Sequence, residues 1–290
     1  MDIGIGLPNA VPGVDRDSLL EFARRADRRG FSTLGTVDRI VYPNYEPLLA
    51  LTAAATVTER IKLGTTVLLT PLRANATLLA KDALTLDDMS SGRMVLGMGI
   101  GGRDDDFEAS SLPMKRRGAT FDAQLAQMRR VFDGEVSGYA GPVGPPPVRP
   151  GGPEVWIGGL ADVTPERVAR YGTGWIAGAV PPEQFGEFAI KVDEAWEGAA
   201  RKGKPHKASL AYFALGSNPQ AEIEHSIKHY YAWLGDVADY IAAAVATSAE
   251  TVQQYQQAFD SQGCDELIFM PASKDPAQVD LLADAVGLAG

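Results

Sequence analysis

The chain has 290 residues and a single cysteine, Cys264. It can therefore form no internal disulfide and no thiol pair for a metal. In Gly263-Cys264-Asp265-Glu266, at the mouth of a late strand, that cysteine reads as a small buried residue. Positive charge is also in short supply: 27 Lys and Arg against 37 Asp and Glu give a net charge of −10. Binding of a phosphate backbone or an anionic membrane needs clustered cations, so neither is an expected partner. A phosphorylated small molecule held by backbone amides and one or two arginines stays compatible with this charge. No apolar run reaches membrane-spanning length, and MDIGIGLPN lacks a charged n-region and a small-residue cleavage site. A cytoplasmic protein is the expectation. What is present, 45% hydrophobic with 22% charged residues, is the composition of a globular chain with a sizeable core.

The most informative stretch is IKLGTTVLLTPLRANATLLAKDALTLDDMSSGRMVLGMGIGG, residues 61–102. Two β-rich apolar runs, 61–69 and 93–100, flank one amphipathic helix, the pattern of a strand, a crossover helix and a parallel strand. Val67-Leu68-Leu69 and Met94-Val95-Leu96 do not alternate with polar residues, so both faces of each strand should be covered. The same alternation runs through the chain. Strands are expected at 3–7, 31–37, 61–69, 93–98, 155–158, 175–179, 210–215 and 267–270. The helices between them are expected at 15–29, 46–58, 74–89, 118–133, 162–171 and 183–201, with a long helical region 219–247, then 249–262 and 276–288. Asp15 suits an N-cap and Gly30 a C′ position, and Glu46-Pro47 opens the second helix. The segment 134–153, rich in Pro and Gly, reads as a surface loop, and Asp104-Asp105-Asp106 as an acidic loop. Eight βα units in 290 residues favour closure as an α/β (βα)8 TIM barrel, a single domain over 1–290, with a helical excursion between strands seven and eight.

In such a barrel, reactive groups lie just past the carboxyl ends of the strands. That filter selects Asn9, Asp38-Arg39, Thr66 and Val67 through Pro71, Gly99 to Arg103, Gly158 to Ala161, Gly178, Ser217 and Pro271. A carboxylate beside a guanidinium, as in Asp38-Arg39, stays ionised and accepts hydrogen bonds, either to orient a ligand or to close a strand end. The glycines from Gly97 to Gly102 would let a flat ring or a phosphate lie against the main chain. As a dinucleotide fingerprint they lack a ribose-binding acid, and they lead into three aspartates. His225 and His229 have metal-face spacing but no third ligand, so they read as a solvated helix face and no metal site is expected. Ser90-Ser91 reads as a helix-ending turn, because no histidine follows a strand to serve as its base.

GFSTLGTVDRI, then EPLLALTAAATVTERIKLGTTVLLTPLRANATLLAKDALTLDDMSSGRMVLGMGIGG, then EVWIGGLADVTPERVARYGTGWI and DELIFMPASKDPAQVDLLADAV together resemble the bacterial-luciferase-like superfamily. That superfamily comprises flavin-dependent monooxygenases and oxidoreductases and enzymes using the deazaflavin coenzyme F420. The resemblance implies a TIM barrel with FMN or coenzyme F420 lying across the strand ends, a small organic substrate, and a homodimer formed through barrel helices. It places Asp38 near the ring and Thr66-Val67 at a bulge in strand three, where a non-prolyl cis peptide is frequent in the family. Ile100 and Gly101 would line the ring or ribityl chain, and Gly158, Gly159, Leu160 and Ala161 would hold the phosphate. The sugar-phosphate dehydrogenases of the deazaflavin branch carry histidine and glutamate where this chain has Arg39 and Gly102, so a sugar phosphate is not the expected substrate. Asp38, Arg39 and Tyr42 are the candidates for acid-base work, with Trp175, Tyr42 and the excursion as apolar walls. Two other classes stay open: a barrel that holds flavin without turnover, and a cofactor-free lyase or hydrolase using Asp38 and strand-end arginines.

Overall fold

The computed structural model describes residues 1–289. Eight parallel strands close on themselves: β1 (Asp2–Gly6), β2 (Thr33–Thr36), β3 (Lys62–Thr65), β4 (Met94–Gly99), β5 (Glu154–Gly158), β6 (Gly174–Ile176), β7 (His206–Phe213) and β8 (Glu266–Pro271). Closure is made by β8 beside β1, with Ile3 opposite Leu267, and by β3 beside β4, with Leu63 opposite Met94. The expected TIM barrel is the observed architecture. The helices outside it are α1 (Arg16–Arg29), α2 (Pro47–Ala55), α3 (Ala76–Met89), α4 (Asp104–Ala109), α5 (Arg117–Phe132), α6 (Thr164–Tyr171), α7 (Pro182–Gly198), α8 (Val237–Ala243), α9 (Ala249–Ser261) and α10 (Ala277–Val286). Asp15 caps α1 by accepting the Ser18 N–H at 2.8 Å, and Gly30 closes it at φ 81°.

Alternating strand residues divide the apolar interior in two. Val95, Trp156, Ile176, Leu210, Ile268 and Met270 fill the barrel, while Leu34, Leu63, Leu96, Ile157, Trp175 and Phe269 belong to the larger cluster packed with the helices. The amino-terminal end of the barrel is plugged by a polar cluster. The Glu266 carboxylate, 1% exposed, accepts the Ser32 hydroxyl at 2.5 Å and pairs with His206 Nε2 at 3.1 Å. The His206 ring stacks on Trp156 at 4.7 Å. Burial alone would push the Glu266 carboxyl up, but hydrogen bonds from His206, Ser32 and Thr33 outweigh it and hold the pKa below the ordinary value.

The structure refines three expectations. Residues 219–247 are not one helix but a series of short pieces: an α turn Pro219–Glu222, a π-helical stretch Ile223–Lys228, His229–Tyr231, a tight turn Ala232–Leu234 and α8. Gly235, at φ 58° and ψ −130°, makes a break that side chains with a Cβ strongly disfavour. Ile223, Ile227, Ala242 and Val245 clamp these pieces onto Ala214 and Ala272 at the strand ends. The aspartates 104–106 start α4, where the helix amino terminus favours negative charge. The Pro/Gly segment contains a small exposed ribbon, Ser137–Gly138 against Gly141–Pro142.

Candidate functional site at the carboxyl end of the barrel

Strand β3 is interrupted after Thr65 and resumes at Leu68–Leu69 beside β4. The Thr66–Val67 peptide between the two segments is cis. Thr66 is held to Thr36 O by its N–H at 2.8 Å and its hydroxyl at 3.0 Å, and the Thr65 hydroxyl donates to Gly97 O at 2.7 Å. Val67 is then left half-buried at the barrel mouth. A Cβ on Gly99 would lie 2.7 Å from Val67 Cγ2, and one on Gly158 would lie 2.8 Å from Val67 Cγ1. These glycines therefore make room for the Val67 side chain. Gly102 and Gly178 are different, since a Cβ on either meets nothing within 4 Å.

Asp38, just past β2, is 4% exposed. Its Oδ2 accepts the Leu69 N–H at 2.8 Å, which fixes the segment that follows the cis peptide, and is ion-paired with Arg73 Nη2 at 3.2 Å. Arg73 also reaches Glu46 at 2.7 Å. The other Asp38 oxygen, Oδ1, is buried without a hydrogen-bond partner. Burial raises the Asp38 pKa, against the opposing pull of Arg73 and the Leu69 N–H. A buried carboxyl with one unsatisfied oxygen suits a group that meets a ligand's hydrogen-bonding edge.

Arg39 points elsewhere. Its guanidinium, 3% exposed, forms a two-pronged pair with Asp106 at 2.7 and 3.1 Å. The same carboxylate accepts the N–H groups of Ile40 at 3.0 Å and Val41 at 2.8 Å. Arg39 and Asp106 thus form the pedestal of the loop after β2. Tyr42, on that loop, shares a 2.7 Å hydrogen bond with His229 Nδ1, and its ring meets Tyr230 edge-on at 5.1 Å. Arg103 donates to Tyr230 O at 3.3 Å and lies over the Trp233 ring at 5.0 Å. His229 is consequently a tether of the excursion, and no cluster of metal-ligating side chains is found among the described residues. The Tyr212 and Tyr231 hydroxyls meet at 2.6 Å, so the tyrosines of β7 and the excursion roof one side of the mouth.

The other side is open. Ile100 and Gly101 follow β4, both half-buried. Past β5, the Gly159 N–H donates to Ile176 O at 3.3 Å and its carbonyl accepts Trp175 Nε1 at 2.9 Å, with φ at 117°. Gly159 therefore pins the turn. Leu160, half-buried, and Ala161, exposed, lie at the entry to α6, and among the described residues neither N–H has a backbone acceptor. Trp175 does not line the mouth: it is fully buried between Phe185 at 5.1 Å and Phe188 at 5.0 Å. Asn9 is spent on the main chain, donating to Val37 O at 2.8 Å and Tyr45 O at 3.1 Å. Cys264 is buried, its thiol pushed up to about 12 by loss of solvent. Sequence reasoning passed over Arg73, and it placed Arg103 at a strand end and Asp106 in an acidic loop without their partners; the clue was a local excess of aspartate and arginine near strand ends, with nothing to pair them.

The luciferase-like monooxygenase family model matches residues 1–267. An uncharacterized protein of Mycobacterium tuberculosis is 30% identical over 174 residues, which are 57% of this chain and 61% of that relative. The chain thus spans about three fifths of the length of that relative. Among solved structures, an F420-dependent secondary alcohol dehydrogenase in complex with an F420-acetone adduct superposes with a TM-score of 0.80 at 17% identity, covering 99% of this chain and 98% of that one. The monooxygenase RslO1 from Streptomyces bottropensis gives 0.77 at 22% identity, covering 99% and 97%. At such identities the superpositions speak for the fold. With the family match across most of its length, the chain belongs to the luciferase-like monooxygenase family.

Proposed function

We propose that this protein is an oxidoreductase that binds FMN or coenzyme F420 across the carboxyl ends of β3, β4 and β5 and acts on a small organic substrate. The observation that carries the reading is the pairing of two features. Val67 is presented on a floor of glycines beside the buried, half-satisfied Asp38 carboxyl, and unpaired amides at Leu160 and Ala161 lie on the adjoining strand end. A flavin-type ring, when bound, supplies the redox chemistry: hydride exchange, or oxygen activation in the case of FMN. The chain's part is placement. Val67, Ile100 and Gly101 give the ring an apolar seat, and the Leu160 and Ala161 amides at the start of α6 suit a phosphate. Asp38 Oδ1 offers a hydrogen bond to the polar edge of the ring. The tyrosines of the excursion exclude water from one side of the mouth. Tyr42 remains the candidate for proton transfer, because its hydroxyl shares a hydrogen bond with His229, whereas Arg39 is committed to Asp106.

That commitment also favours the second reading, a barrel that holds a flavin without turnover. A bound chromophore unchanged by reductants and substrates would support it. The chain is proposed to work as one catalytic domain and to pair as a homodimer through the α2 and α3 face, where Leu49 is 71% and Leu78 53% exposed. The deciding experiment for the main reading is fluorescence titration of the protein with FMN and with coenzyme F420. Saturable quenching by one of them is expected, and binding of neither overturns the redox assignment.

A further inference from the structure

Between the start of α7 and the excursion lies a half-open cavity of about 190 Å³, outside β6 and β7 at the carboxyl rim of the barrel. We infer that it is a binding site for a compact, uncharged, apolar molecule about the size of a substituted monocyclic hydrocarbon or small cyclic ketone. The inference that this molecule is the substrate rests on the proposed oxidoreductase function; the capacity of the cavity to take such a ligand does not. Its walls are Val180, Pro182, Ala211, Ile241, Ala244 and Phe259, and among the described residues no charged side chain lines it. A dry cavity of about 150 Å³ with aliphatic and aromatic walls is enough for benzene, so this one suits a slightly larger ring.

Polarity decides the chemical class. Three tyrosines border the cavity. The Tyr212 hydroxyl is paired with Tyr231, and the Tyr255 hydroxyl donates to Ala244 O at 2.7 Å. Tyr240, 69% exposed, forms the outer wall. A carboxylate or phosphate entering here would lose its water and find no cation in return. An uncharged ring loses only its hydrophobic hydration, which favours entry. Tyr212 also borders a second, narrower cleft lined by Leu7, Val37, Tyr230 and Met270 over the barrel mouth. Tyr212 is therefore common to the cavity and to the cleft over the mouth.

The test is a fluorine NMR titration of the cofactor-free protein with para-fluorotoluene and, as the charged counterpart of similar size, para-fluorobenzoate. Para-fluorotoluene is expected to bind saturably and at least tenfold more tightly than para-fluorobenzoate. Ala244→Phe fills the cavity from an exposed position and is expected to weaken para-fluorotoluene at least tenfold with Tm and cofactor affinity unchanged. Ile241→Ala, which enlarges the cavity, is expected to improve binding of fluoronaphthalene. Equal binding of the two para-substituted probes, or parental para-fluorotoluene affinity in a folded Ala244→Phe protein, overturns the inference. If FMN and F420 both fail to bind while para-fluorotoluene behaves as stated, the cavity assignment stands and the redox reading falls. If a cofactor binds and para-fluorotoluene does not, the cavity assignment falls alone.

Discussion

Replacing Asp106 with alanine tests whether Arg39 is a structural residue rather than a catalytic one. The Asp106 carboxylate is 1% exposed and accepts two hydrogen bonds from Arg39 and two from the Ile40 and Val41 amides. Its removal leaves a guanidinium that is 3% exposed without its main counter-charge, since Asp105 is 3.5 Å away and partly solvated. Breaking one side of a buried pair costs about 3–5 kcal/mol. An unfolding entropy near 2.1 cal/mol/K per residue gives a chain of this length roughly 0.6 kcal/mol/K, so about 4 kcal/mol lowers Tm by about 7 °C. Thermal unfolding followed by circular dichroism reads the shift. The double variant Arg39→Met, Asp106→Leu removes both charges and is expected to recover more than half of the loss, because apolar replacement of a whole buried pair is often close to neutral. A drop of less than about 2 °C in Asp106→Ala would refute the pedestal.

Asp38 provides a pH test. Its folded pKa is raised by burial, so its contribution to stability is fully present below the unfolded value, about 3.9, and is lost as pH rises through the folded value. Asp38→Asn cannot ionise and is expected to melt above the parent at pH 8 and to converge on it near pH 4, as read by Tm. Glu266 has the opposite sign. Burial pushes its carboxyl up, but hydrogen bonds from His206, Ser32 and Thr33 leave its folded pKa depressed, so its stability is present above the unfolded value and is lost as pH falls through the folded one. Glu266→Gln is expected to lose about 1–3 kcal/mol at pH 7 in urea unfolding, a gap that closes in acid; a gap that persists at pH 3 would contradict the linkage. Leu49→Glu with Leu78→Glu is expected to turn a dimer into a monomer in sedimentation, with Tm measured alongside.

The barrel was legible because parallel strands buried on both faces leave continuous apolar runs such as Met94-Val95-Leu96, and because Asp15, Gly30 and Glu46-Pro47 mark helix ends by local chemistry alone. What stayed hidden depends on partners distant in sequence. Arg39 meets Asp106 across 67 positions, so a candidate acid-base residue and an acidic loop turned out to be two halves of one ion pair. Gly99 and Gly158 are visible as strand-end glycines, but that their missing Cβ atoms accommodate Val67 from another strand is not. Trp175 sits among the helices instead of at the mouth because of strand parity, where a shift of one residue reverses the face. The excursion was visible as helical sequence, but its break at Gly235 depends on a backbone angle that composition does not reveal.

The central claim is that the rim of β3, β4 and β5 binds a flavin-type cofactor, its phosphate at the start of α6. The most direct measurement is the affinity of the parent and of Ala161→Asp for FMN and for coenzyme F420, by fluorescence quenching, with Tm as the control for folding. Ala161 is exposed, so the substitution places a carboxylate at the proposed phosphate position without disturbing the core. The account predicts tight binding of one cofactor by the parent and at least tenfold weaker binding by Ala161→Asp at unchanged Tm. Equal affinity in the two proteins would remove the phosphate site, and binding of neither cofactor by the parent would contradict the account as a whole.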